Sequence, residues 1–103
     1  MQRVLSFTAN KKKYISKPWD FEAMCRVQEI HIKQETNSIG RICGNAVDYL
    51  FEGTQATQDI IDASPADKMR MCREVWAWYL EDMTAKNEEA VKAAIQEEVT
   101  AEN

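Results

Sequence analysis

Apolar positions along this chain change period once. Near the start they alternate: Leu5 and Phe7 are separated by Ser6 and followed by Thr8, and Tyr14 and Ile15 come after the stretch Ala9-Asn10-Lys11-Lys12. Alternation interrupted by a residue type that tolerates left-handed backbone predicts a β-hairpin over residues 3–16. A lone hairpin is marginal in water, so its apolar face must lie on helices or join strands of another copy, and open strand edges are a route to oligomers. From Pro18 onward the spacing is helical. Pro18 stops the strand and Asp20 suits a helix N-cap; Ala23, Met24, Val27 and Ile30 then give an inward side, Arg26, Glu29 and Lys33 an outward one, and the polar run Gln34 to Asn37 an end. Trp19 is expected to pack where strand meets helix.

The second helix carries the cleanest stripe, Ile39, Ile42, Cys43, Ala46, Val47, Leu50 and Phe51, with Gly53 as its stop. Gly40 and Gly44 stand one turn apart within it, a small-residue ridge that would let another backbone approach. A short helical segment from about Thr57 to Ala63 carries Ile60 and Ile61.

The stretch SPADKMRMCREVWAWYLEDM, Ser64 to Met83, encodes a helix with two apolar rows. Ser64 is placed to cap it, Pro65 to open it, and Asp67 to complete a capping box. Met69, Cys72, Trp76, Tyr79, Leu80 and Met83 form the first row, with Trp76 expected in the core beside Leu50 or Phe51. Met71, Val75 and Trp78 form the second, with Trp78 roughly 140° from the centre of the first at about 100° per residue. Either a neighbouring segment of the same chain covers this second row, or a partner protein does. Because Trp is enriched at interface hot spots, Met71, Val75 and Trp78 are the candidate partner-binding residues. Beyond Met83 the pattern thins to Val91, Ala94, Ile95 and Val99, which predicts a separate helix over residues 86–103 that docks on a partner or frays, with disorder from about Thr100.

The fold expected is mainly α with an N-terminal β-hairpin, an α+β chain forming a small bundle of about four helices plus a C-terminal helical tail: a domain over 1–85 and an acidic tail over 86–103. A length of 103 residues, 45% of them hydrophobic and 29% charged, suits one modest core. Neither a membrane span nor a signal peptide is legible, so the cytoplasm is the expected compartment. The net charge of −4 argues against nonspecific binding to nucleic acid. Its distribution is uneven: Lys11, Lys12 and Lys13 adjoin near the start, whereas Thr84 to Asn103 carries a balance of −3. Basic and acidic ends of this kind can attract one another between subunits.

Chemistry is sparse. Cys25, Cys43 and Cys72 lack metal-site spacing and fall on helix faces as small hydrophobes. His31 and Glu35 lie one turn apart without the further ligands a stable metal site needs. Glu22 with Glu29, and Glu81 with Asp82, fall on polar faces where carboxylates are solvated. No phosphate loop or nucleophile elbow is present. The expectation is a protein without catalytic, cofactor-binding or metal residues.

The order of the parts, a hairpin VLSFTANKKKYI, a helix opened by WDFEAM, a central AVDYLFEGT and a WAWYLEDM helix before a charged tail, resembles the tail assembly chaperones of long-tailed bacteriophages and related prophages of Gram-positive bacteria. The resemblance covers residues 3–85. It implies a small helical protein of the host cytoplasm that forms homo-oligomers, binds the tape-measure protein and keeps that long helical polypeptide soluble during tail morphogenesis. It also implies the absence of an active site and cofactor; members of the family often make a longer product by a programmed frameshift, and where that applies the two products would diverge from Thr84 onward. Two alternatives use the same residues differently: a small regulatory protein that binds nucleic acid through Lys11 to Tyr14, or a minor virion structural protein.

Overall fold

The computed structural model describes residues 3–33 and 38–102, with side chains described to Thr84. The strands β1 (Ser6–Ala9) and β2 (Lys12–Ile15) form an antiparallel hairpin, followed by the helices α1 (Phe21–Lys33), α2 (Ile39–Phe51), α3 (Gln58–Asp62) and α4 (Pro65–Glu102). The turn residues Asn10 and Lys11 both have positive φ, 54° and 62°, the backbone that two-residue hairpins need for their strands to follow the natural twist. Phe7 sits opposite Tyr14 in the ladder, and the two rings stack at 5.3 Å. Phe7 also meets the edge of Phe51 at 5.4 Å, which seats the hairpin on the last turn of α2.

A chain of hydrogen bonds fixes that seat. The Leu5 amide donates to the Ser16 hydroxyl at 2.8 Å, the hydroxyl donates to the Lys17 carbonyl at 2.7 Å, and the Lys17 amide donates to the Leu50 carbonyl at 2.8 Å. The last bond satisfies one of the carbonyls that a helix C-terminus leaves without an intrahelical partner. Asp20 caps α1 as expected, its carboxylate accepting from the Ala23 amide at 2.8 Å.

Helix α2 is the central element, packed along α4 on one side and α1 on another. Ile42, Cys43, Ala46, Val47, Leu50 and Phe51 are buried, so the stripe legible in the sequence is the core face. At its end Glu52 (φ −60°, ψ 129°) and Gly53 (φ +78°) form a type II turn closed by the Thr54 amide on the Phe51 carbonyl, the conformation that requires glycine here. The small-residue ridge is only half realised. A Cβ on Gly40 would stand 2.8 Å from Cε of Met69, whereas one on Gly44 would meet nothing within 4 Å.

Two expectations about the last helix are corrected. It does not break after Met83: α4 is one helix of 38 residues through Glu102, roughly 57 Å at 1.5 Å per residue, within a molecule 64 Å long. The radius of gyration, 17.3 Å, exceeds the ~13 Å of a compact chain of this size, as a helix running past its bundle requires. Trp76 is not enclosed beside Leu50 or Phe51 but half-buried, stacked on Tyr79 at 5.6 Å and meeting His31 edge-on at 5.1 Å.

Candidate interaction surface

Burial along α4 shows why its apolar residues read as two rows. Met71, Cys72, Val75 and Tyr79 are almost entirely enclosed, while Met69 and Leu80 are 40% and 43% exposed. At about 100° per residue, the buried positions centre between Val75 and Tyr79, with Trp78 at one margin and Trp76 at the other. The two rows are thus the halves of one wide face. Met71 and Val75 have no exposed surface, which corrects their assignment to a partner: the fold itself covers them.

Trp78, the third candidate, is half-buried, and its neighbour is intramolecular. The Trp19 ring lies 5.9 Å from it, and the Trp19 indole N–H donates to Oδ2 of Asp82 at 2.9 Å. The other oxygen, Oδ1, accepts from Nη1 of Arg3 at 2.8 Å, and the Trp19 amide donates to the Arg3 carbonyl. The N-terminal segment is thus latched along the row that begins at Met71. Further along, Nη2 of Arg70 donates to the Ser6 carbonyl at 2.7 Å. With Arg3 beside Asp82 and Ser6 beside Arg70, the chain entering β1 runs opposite to α4. Asp82, expected to be simply solvated, is the acceptor that holds this arrangement; its place one turn beyond Trp78 was the available signal.

Several titratable groups hold elements together. Lys68 pairs with Asp62 at 2.9 Å and Asp48 at 3.2 Å, joining α4 to α3 and α2. Burial works to lower the Lys68 pKa, yet the two carboxylates outweigh it and leave it above the usual lysine range. For Asp20, partial burial is the largest single influence and raises its pKa. The Tyr49 hydroxyl donating at 2.6 Å, the Ala23 amide and the Lys17 ammonium together reverse that and hold it below the ordinary aspartate range. Tyr49 is flanked by cations on its ring, Lys17 at 4.2 Å and Arg26 at 4.6 Å. A groove of about 430 Å³ opens beside it, lined by Arg26, Asp48, Tyr49 and Glu52 among others. Two of its charged groups stand within ion-pair distance of a partner, Arg26 of Glu22 and Asp48 of Lys68, though Nε of Arg26 and Oδ1 of Asp48 make no hydrogen bond.

Burial pushes the Cys43 thiol up to about 12 and the Cys72 thiol to about 11, so neither is a nucleophile at neutral pH. Cys25, expected on a packed face, is half-buried. His31 has aromatic neighbours and lies 3.3 Å from the Tyr79 hydroxyl through Nδ1; Glu35 falls outside the described residues. Among the described residues no group of His, Cys, Asp or Glu is placed to hold a metal ion, and no helix is long and apolar enough to cross a membrane.

What the fold leaves unused is apolar surface on α1. Phe21 is 74% exposed and Ile32 69%, and with Cys25 and Gln28 between them they follow spacings of four, three and four residues, the seam along which one helix packs on another. The sequence pattern pointed to Ala23, Met24, Val27 and Ile30 as the apolar side of α1 and did not bring out this opposite row. Other apolar side chains stand out on the hairpin, Val4 at 42% and Ile15 at 54% exposure. No family model, curated protein or solved structure matches the chain.

Proposed function

We propose that this protein is a tail assembly chaperone of a long-tailed bacteriophage or prophage, which self-associates and binds the tape-measure protein in the bacterial cytoplasm during tail morphogenesis. The observation that carries the proposal is the exposed row on α1. A protein that spends Met71, Val75 and Trp78 on its own fold still exposes Phe21 and Ile32, three turns apart on one helix face. Large apolar side chains left in water at helical spacing support a contact with another chain. A long amphipathic helix supplies a matching seam, and covering its apolar face suppresses aggregation. The order of hairpin, WDFEAM helix, AVDYLFEGT segment and WAWYLEDM helix supports the same reading. The role requires affinity rather than chemistry, and the charged groups described above serve the fold.

Co-expression with a tape-measure polypeptide tests this. The parent protein is expected to hold that polypeptide in the soluble fraction, and a variant with Phe21→Asp and Ile32→Asp is expected to lose the effect while keeping its circular-dichroism spectrum. A tape-measure polypeptide that stays insoluble with the parent, or is equally soluble with the variant, rejects the proposal.

A further inference from the structure

The hairpin carries a basic tip and exposed apolar residues toward its base, and the sequence of the last part of α4 carries an apolar row and then acids. Lys11, Lys12 and Lys13 are all exposed at the hairpin tip, and among the described residues none of them enters an ion pair. Lys11 holds a left-handed backbone, φ 62°, where glycine would rest without strain. Toward the base, the outer face of the hairpin exposes Ile15 and Val4. The sequence of α4 beyond Thr84 has Val91, Ala94, Ile95 and Val99 at helical spacing and gathers Glu97, Glu98 and Glu102 toward its C-terminal end. From Lys11 to Val4 is about 20 Å of strand, and residues 89–102 of a helix span about 20 Å.

We propose that the hairpin of one copy is the docking surface for the C-terminal half of α4 of a second copy, with the acidic end at the lysine tip and the apolar row toward Ile15 and Val4. The inference deepens the proposed self-association and rests on it. The direction of the elements selects a second copy as the occupant. Arg3 meets Asp82 and Ser6 meets Arg70, so the hairpin tip points toward the start of α4, whereas its acidic end lies some 27 residues, about 40 Å, beyond Arg70 along a continuous helix. The chain's own tail therefore cannot reach its own tip. A helix C-terminus, with its partial negative charge, adds to the attraction of carboxylates for the lysines. Polyphosphate is the weaker fit, because the chain as a whole carries −4.

Sedimentation of three proteins at matched concentrations tests the docking: the full parent chain, a tip variant (Lys11→Glu, Lys12→Glu, Lys13→Glu) and a tail variant (Glu97→Lys, Glu98→Lys, Glu102→Lys), each checked for fold by circular dichroism. The parent is expected to self-associate more weakly as salt rises. Each reversed variant is expected to self-associate about ten-fold more weakly or worse, and their equimolar mixture to regain association as unlike charges meet again. A parent that associates while both folded variants match it overturns the docking surface and leaves self-association standing. A parent that is a monomer throughout overturns both. Tight binding of a single-stranded oligonucleotide to the parent, lost in the tip variant and competing with self-association, reassigns the tip to nucleic acid and overturns the proposal.

Discussion

Removing the Asp82 carboxylate severs the latch between the N-terminal segment and α4, and the bonds from Trp19 and Arg3 set the scale of the cost. The indole N–H of half-buried Trp19 donates to Oδ2 at 2.9 Å; a hydrogen bond to a charged acceptor contributes about 1.5–3 kcal/mol. The Arg3 pair, with side chains 32% and 29% exposed, belongs with surface ion pairs at ~0.2–1 kcal/mol. Asp82→Ala should therefore destabilise the fold by about 2–3 kcal/mol, while Asp82→Asn, which keeps one acceptor of similar shape, should cost about half as much. Trp19→Phe removes the donor and keeps a ring against Trp78. Urea unfolding followed by circular dichroism, on the two single variants Asp82→Ala and Trp19→Phe and on the double variant, isolates the bond between them. A coupling of about 1–2 kcal/mol is expected. Coupling below about 0.5 kcal/mol, or an Asp82→Ala variant as stable as the parent, would refute the latch.

Four further outcomes are expected. Gly44→Ala should raise stability by about 0.5–1 kcal/mol, because an added methyl meets nothing there and helix propensity improves; Gly40→Ala should gain less, since Met69 must move aside, and equal effects in urea titrations would contradict the packing. Lys11→Gly should also stabilise, by about 1 kcal/mol, by relaxing a left-handed turn position, and an unchanged urea midpoint would contradict this. Asp20, held below the ordinary aspartate range in the folded chain, contributes stability that is full above its unfolded value and lost as pH falls through its folded one; Asp20→Asn, which can still cap α1, should therefore lose less stability on acidification than the parent, and superimposable pH profiles would count against the Tyr49 contact. Titration with a thiol reagent should label Cys25 in the native protein and reach Cys43 and Cys72 only on unfolding; rapid labelling of all three would contradict the burial of α2 on α4.

The elements whose apolar period was unbroken were legible from sequence. The stripe Ile39 to Phe51 gave α2 its limits and its buried face, and the alternation around Asn10 gave the hairpin. What failed did so where one helix faces several neighbours. Met71, Val75 and Trp78 lie too far around α4 from Cys72 and Trp76 to share a narrow stripe, and only the N-terminal segment folding back onto Trp78 and Asp82 makes the two rows one face. Those contacts join residues 59 to 79 positions apart, beyond the reach of periodicity. Asp82 read as solvent-facing because a lone carboxylate carries no sign of the indole that will meet it. The weak apolar content beyond Met83 suggested a break, but it contains neither proline nor glycine, and an alanine-rich, lysine- and glutamate-bearing stretch continues a helix at little cost. Phe21 and Ile32 were concealed by the stronger opposite face of α1 and became visible once Ala23 and Val27 had taken the core.

Self-association is required by both the proposed chaperone role and the proposed docking of α4 on a neighbouring hairpin, and light scattering of the purified full chain from micromolar to near-millimolar concentration measures it directly. The mean mass is expected to climb with concentration above the 11.9 kDa of one chain, and to fall back as salt is added. A mass that stays at that of a single chain across the whole range contradicts the account.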